Sequence, residues 1–169
     1  GVTSLYWVSA MDPDDEGHLA PLFGRLWSQI TWNEPEPLIE ARRLVEANPR
    51  QVRAQSQLAL ALARQGECEA STSIFLTLLD QEPSDSDLWE GLFMTHSLNA
   101  QGCPDPRQGW AQGLAATDSA SVLDAMADSM IAAGESEHAL GTRMLARFRF
   151  PKNRRVRRAL ERQGFPLGL

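Results

Sequence analysis

The side chains most able to do chemistry in this sequence are three histidines and one pair of adjacent acids. His18, His96 and His138 stand far apart, so no two have the spacing of a helical zinc pair. Asp14 and Asp15 precede a predicted helix and suit its N-terminus better than acid–base catalysis. The sequence has no Gly-rich phosphate loop and no G-x-S-x-G turn. We therefore expect a protein that is not an enzyme and that needs no cofactor and no metal.

The histidines and acids must be positioned by helices, because apolar residues recur at helical spacing along the sequence. Glycine and proline interrupt these helices at a fixed interval. Pro49 and Pro83 are 34 residues apart, and Pro83 and Pro151 are 68 apart, which is twice that interval. Gly66 and Gly134 are also 68 apart. A period of this length is typical of paired antiparallel helices that stack into a solenoid. The sequence predicts an all-α fold of this kind.

This period divides the sequence into predicted segments. We expect a single domain over residues 18–165, an extension over 1–17 and a tail over 164–169. Its predicted parts are helix pairs at about 18–51, 52–85, 86–119 and 120–152 and a capping helix at 153–163. Pro104 and Pro106 should lengthen the turn within the third pair, and Asp85 and its neighbours should cap that pair's first helix.

The two cysteines, Cys68 and Cys103, fall near the predicted starts of the second helices of adjacent pairs. Stacked helices lie about 10 Å apart, which is at or beyond the distance that a disulfide can bridge. Two cysteines also make neither a disulfide framework nor a zinc site. We expect reduced thiols that are buried or half buried.

The residues that recur with this period resemble the tetratricopeptide repeat family. They are Leu58, Ala59, Leu62, Gly66, Phe75 and Pro83 in the second pair, Trp89, Leu92, Phe93 and His96 in the third, and Leu123, Met126, Ala127, Met130, Gly134, Ala139, Ala146 and Pro151 in the fourth. His96 stands where the family usually has tyrosine, so we expect a core or groove histidine. The resemblance implies a right-handed superhelix of about four repeats plus a capping helix.

The resemblance also implies a concave surface lined by the first helix of each pair, which we call the predicted groove. Its residues would be Arg53, Ser56, Gln57, Leu60, Arg64, Asp87, Glu90, Met94, Asp124, Ala125, Asp128 and Ile131. Family members that bind a C-terminal carboxylate need lysine and asparagine at such places, and this sequence lacks them. An apolar floor (Leu60, Met94, Ile131) beside acids would suit a peptide or helix with apolar anchors and basic flanks. The alternative is that these acids form ordinary solvated surface.

The charge of the sequence is divided unequally along its length. Residues 1–142 carry 7 Arg and no Lys against 21 acids, a net charge of −14, and residues 143–169 carry 9 cations against 1 acid, a net charge of +8. The cations of the predicted basic patch are Arg147, Arg149, Lys152, Arg154, Arg155, Arg157, Arg158 and Arg162. This patch could be a solvated cap, a contact for the acidic body of a second copy, or a surface for nucleic acid or anionic lipid. Few aromatics accompany it, which favours the first two interpretations over nucleic acid.

We expect the protein to be a protein–protein interaction module, such as an adaptor, scaffold or chaperone. The resemblance implies a possible role in bacterial secretion or envelope assembly. One alternative is a recruitment domain of a larger enzyme or export protein. Another is nucleic-acid or lipid contact through the basic patch. No apolar run is long enough to span a membrane and no signal peptide opens the sequence. We expect a cytoplasmic protein, or a periplasmic one if a signal or anchor precedes Gly1.

Overall fold

The computed structural model describes residues 36–99 and 101–165, and these residues form an all-α structure. The helices are α1 (Glu36–Ala47), α2 (Val52–Arg64), α3 (Cys68–Gln81), α4 (Ser86–Leu98), α5 (Arg107–Ala116), α6 (Ala120–Ala132), α7 (Ser136–Arg149) and α8 (Arg154–Arg162). The predicted all-α class is therefore confirmed, and the predicted solenoid of antiparallel helix pairs stays a prediction. The helix predicted at the start of the first pair lies outside the described residues.

The chain divides into two compact units, residues 1–40 and residues 41–169. The first unit lies almost wholly outside the described residues. The second contains seven complete helices, α2 to α8, within its described part. The predicted single domain over residues 18–165 stays a prediction.

Local signals set the ends of several helices. Gly66 (φ 84°) and Gly134 (φ 82°) turn the chain in the left-handed region, which glycine enters without steric cost. The Asp85 side chain accepts hydrogen bonds from the backbone N–H groups of Asp87 and Leu88 and so caps α4, as predicted. Asn153 caps α8 in the same way. The hairpin boundaries therefore follow from short-range chemistry.

In the second unit, helices pack on their neighbours and next neighbours along the chain, and the most extensive contact is between α4 and α6. Helix α2 packs on α3, and α4 packs on both. Helix α6 packs on α4 and α7, and α8 packs mainly on α7. The main core is continuous from α2 to α7 and includes Phe75, Leu88, Leu92, Phe93 and Met126, all 2% exposed or less. This order fits stacked hairpins, and the right-handed superhelix stays a prediction.

Two close contacts between helices depend on glycine. A Cβ on Gly91 of α4 would lie 2.5 Å from the Phe75 ring of α3. A Cβ on Gly113 of α5 would lie 2.7 Å from the Phe93 ring of α4. Real Cβ atoms do not approach that closely, so each phenylalanine packs directly against the backbone of the next helix. The spacing of α3, α4 and α5 therefore requires both glycines.

Candidate functional site

The residues of the predicted groove lie on the successive helices α2, α4 and α6, which pack side by side. Those that are exposed are Arg53, Gln57, Arg64, Asp87, Asp128 and Ile131, those that are half buried are Ser56, Leu60, Glu90 and Met94, and those that are buried are Asp124 and Ala125. Leu60, Met94 and Asp128 are 34 residues apart and occupy equivalent positions. The 34-residue spacing of the sequence thus repeats on three helices that pack on one another. Partner binding at this face stays a prediction.

Asp124 is a buried ion-pair partner rather than an exposed groove acid. Its side chain is 4% exposed, and its Oδ1 lies 3.3 Å from Nε of the equally buried Arg143 on α7. Its Oδ2 lies 2.7 Å from Nε of Arg155 on α8. Arg143 also pairs with Asp128. Two carboxylates of the predicted groove, one buried and one exposed, therefore already form ion pairs with arginines of the chain.

Arg155 connects the last helix to the middle of the unit. Besides Asp124, it pairs with Glu90 of α4 at 3.2 Å, across 65 residues of sequence. Burial alone would lower the pKa of Arg155, but its hydrogen bonds and attraction to Asp124 and Glu90 outweigh this and raise it. Arg155, predicted in the basic patch, thus belongs to the ion-pair network. The sequence carries only an indirect signal for this network, the opposite charges of its two parts.

The rest of the basic patch divides into paired and unpaired cations. Arg149 pairs with Asp118 at 3.4 Å, Arg157 pairs with Glu161 at 3.7 Å, and Arg147 donates to the Pro151 carbonyl. Within residues 36–99 and 101–165, the exposed cations of the patch that form no ion pair are Lys152, Arg154, Arg158 and Arg162.

The last three of these cations recur every fourth residue on α8, away from the buried Val156 and Leu160. We call Arg154, Arg158 and Arg162 the arginine row.

A groove that the sequence did not predict lies between α3 and α5. It encloses about 440 Å³ and is lined by Leu76, Leu79, Asp80, Pro83, Trp89, Gln112, Ala115 and Ala116. Leu76 is 45% exposed on its wall. Asp80 is exposed and forms no ion pair with the described part of the chain. We call this surface the α3–α5 groove.

The sequence of α5 explains why this groove stays open. Helix α5 has only ten residues, and those that face the groove are Gln112, Ala115 and Ala116. Two alanines leave space that a larger side chain would fill. The only sequence signal is that Leu76 falls outside the buried stripe of α3.

The expectation of reduced cysteines is wrong, because Cys68 and Cys103 form a disulfide. Their Cα atoms are 5.3 Å apart, well inside bridging range. Cys103 does not begin a helix, since α5 starts only at Arg107. The lengthened turn instead returns Cys103 to the first residue of α3. The spacing of about 10 Å between stacked helices therefore does not apply to these cysteines, because Cys103 lies in a turn.

His96 is buried, as expected for a core histidine, but neither ring nitrogen has a hydrogen-bond partner among the described residues. Burial lowers its pKa, and attraction to Asp105 partly opposes this. His138, by contrast, lies at the surface, with Nδ1 2.8 Å from Glu135. Glu135 also pairs with Arg107 at 2.9 Å, and its hydrogen bonds to Arg107 and His138 lower its pKa. No group of three or more metal-ligating side chains occurs in the described part of the chain.

Comparisons with known proteins add no family or relative: no protein-family model, curated protein or solved structure matches this chain. Within the described ranges, every helix is too short or too polar to cross a bilayer.

Proposed function

We propose that this protein is a non-enzymatic interaction module, a scaffold, adaptor or chaperone of tetratricopeptide-like helix pairs that binds a peptide or helix of another protein. The α3–α5 groove is the observation that carries this proposal. It is concave, mainly apolar, and within the range of about 300–1,000 Å³ typical of binding pockets. Leu76, which is 45% exposed, supplies apolar surface that a partner's side chain would remove from water, beside the buried ring of Trp89.

The chemistry of the groove defines the partner it would take. Its floor suits one large apolar side chain, and the unpaired carboxylate of Asp80 beside it favours a neighbouring cation. This is the partner chemistry expected from the sequence, apolar anchors with basic flanks. Its proposed site moves from the predicted groove to the α3–α5 groove, because Glu90, Asp124 and Asp128 already form ion pairs with two arginines of the chain.

A fluorescent synthetic peptide with one phenylalanine between two arginines tests the proposal. We expect it to bind, and to bind at least about tenfold more weakly when alanine replaces its phenylalanine. Ala115→Gln, which fills the groove without adding charge, should weaken binding similarly. Leu98→Ala is the matched control, because Leu98 is 52% exposed on α4 and does not line the groove. Equal binding by Ala115→Gln and the unsubstituted protein would refute this site.

The disulfide indicates the cellular compartment in which the module would function. Disulfides persist in oxidising compartments and are rare in the cytosol. The Cys68–Cys103 bond therefore favours the periplasmic alternative over the cytoplasm, and with it a role in secretion or envelope assembly, alone or as the recruitment domain of a larger protein. Alkylation of free thiols in intact cells, followed by mass spectrometry, tests this. Fully alkylated Cys68 and Cys103 would favour the cytoplasm.

A second candidate function is contact with a polyanion through the arginine row and Lys152. Its support is that these four cations are exposed and form no ion pair within the described ranges. The apolar side of α8 is buried, so contact with anionic lipid would involve charge without insertion. Retention on heparin or DNA in about 0.3 M salt would support it. Elution at low salt would refute it.

A further inference from the structure

Phe148 is the most exposed of the large hydrophobic residues that the structure describes. It lies on α7 with 85% of its surface in water, and Met144 one turn earlier is 46% exposed. Arg147 and Arg149, on either side of Phe148 in the sequence, are cations, and so is the nearby Lys152. An aromatic side chain between cations is the chemistry that the α3–α5 groove fits.

The surface that begins at the α3–α5 groove continues as far as Arg149 on α7. A shallow depression, lined by Leu114, Ala115, Ala116, Thr117, Asp118 and Arg149, shares two alanines with the groove. Its far end reaches Arg149, the residue next to Phe148, which holds Asp118 at 3.4 Å. Phe148 itself lines neither the depression nor the groove of its own chain. Phe148 therefore does not fill the α3–α5 groove of its own molecule, and its exposed ring is available to a second molecule.

We propose that the occupant of the α3–α5 groove is Phe148 of a second copy of this chain. Phe148 inserts between α3 and α5 of its neighbour, where Leu76 and Ala115 contact the ring. Arg149 and Lys152 then lie near Asp80 of the neighbour. The inference rests on the proposed function of the groove and names its partner.

Each copy carries both halves of the proposed contact, Phe148 and the α3–α5 groove. Two copies can therefore make the contact twice, about a two-fold axis. Each dimer then contains two identical Phe148 contacts and closes without forming a fibre. The opposite charges of residues 1–142 and 143–169, −14 and +8, also favour association of unlike parts of two molecules.

Sedimentation velocity over a wide concentration range tests the dimer. We expect the unsubstituted protein to dimerise, and Phe148→Ala and Ala115→Gln each to weaken dimerisation at least about tenfold. Added salt should also weaken dimerisation of the unsubstituted protein. Phe148→Ala should fold normally because Phe148 makes little contact with its own chain, and circular dichroism with the thermal midpoint checks this. Leu98→Ala is again the exposed apolar control and should dimerise normally.

A mixture of the two variants identifies the contact. A dimer of one Phe148→Ala chain and one Ala115→Gln chain retains one intact contact, whereas each variant alone retains none. The mixture should therefore associate more tightly than either variant.

A monomer at every concentration would overturn the inference, as would a dimer that both substitutions leave unchanged. Peptide binding separates this failure from that of the proposed function. If the phenylalanine peptide binds the groove of a monomer, the interaction module stands and only the partner is wrong.

Discussion

Nε of Arg155 lies 2.7 Å from Oδ2 of Asp124, although the residues are 31 positions apart and belong to α8 and α6. Asp124 also holds the buried Arg143 of α7, so one carboxylate joins three helices. The last helix is thus fixed to the fold by charge as well as by the apolar contacts of Val156 and Leu160. It is not a free basic arm.

Asp124→Asn should lower the free energy of unfolding by about 1–3 kcal/mol, because the buried Arg143 then keeps only Asp128 as a carboxylate partner among the described residues. Urea unfolding followed by circular dichroism measures this change. Asp87→Asn, at an exposed carboxylate without an ion pair in the described ranges, should change stability by less than about 0.5 kcal/mol. Equal effects would contradict the buried network. This stability should be measured before any binding assay on Asp124→Asn, because partial unfolding would also weaken binding.

Reduction of the Cys68–Cys103 disulfide should lower stability by about 2–4 kcal/mol, because the bond closes a loop between residues 35 apart and restricts the unfolded chain. Thermal unfolding with and without dithiothreitol measures this. The double variant Cys68→Ser/Cys103→Ser should show the lower stability and no response to dithiothreitol. A protein whose midpoint is unaffected by the reductant would show that the bond does not stabilise the fold.

Gly91→Ala should destabilise the protein by about 1–3 kcal/mol, because the new methyl group would overlap the Phe75 ring. Gly141→Ala is the matched control, since a Cβ there meets no atom within 4 Å and the residue lies inside α7. Alanine should stabilise that helix by about 0.5–1 kcal/mol. Chemical unfolding of both variants measures the two changes in the free energy of unfolding, which should have opposite signs. Stabilisation by Gly91→Ala would mean that α3 and α4 are further apart.

Acid should destabilise the fold first through His96. Its folded pKa lies below the ordinary value of 6.5 because of burial, so below about pH 6.5 the unfolded chain binds the extra proton. Stability should therefore fall as the pH drops below 6.5, by up to about 1.4 kcal/mol per pH unit, until the folded pKa is reached. His96→Leu should remove this slope, and the surface substitution His138→Ala should leave it. Urea unfolding midpoints of the three proteins, measured between about pH 7 and 5.5, test this pH dependence.

The helix boundaries were predictable because their causes are local. Gly66 and Gly134 turn the chain through their own backbone freedom, and Asp85 caps a helix through its own side chain. Such signals depend on a few adjacent residues, so the sequence displays them directly. The burial of Phe75 and Phe93 likewise follows from helical spacing.

The disulfide and the ion-pair network were not predictable because they depend on the path of the chain between helices. Cys103 reaches Cys68 only because the turn before α5 folds back, and no local pattern specifies that path. Arg155 stands among similar arginines, and only the packing of α8 selects it to reach Asp124. The α3–α5 groove depends on the missing volume at Ala115 and Ala116, which an apolar pattern does not reveal.

The disulfide also determines how the chain would respond to a pulling force. A stretched polypeptide transmits tension along the shortest covalent route, which here passes from Cys68 through the sulfur atoms to Cys103. Helices α3 and α4 lie between these residues and would bear no load. The 34 residues between the cysteines (69–102) would add roughly 120 Å of extension only after reduction. The middle of the chain is therefore mechanically shielded for as long as the bond is intact.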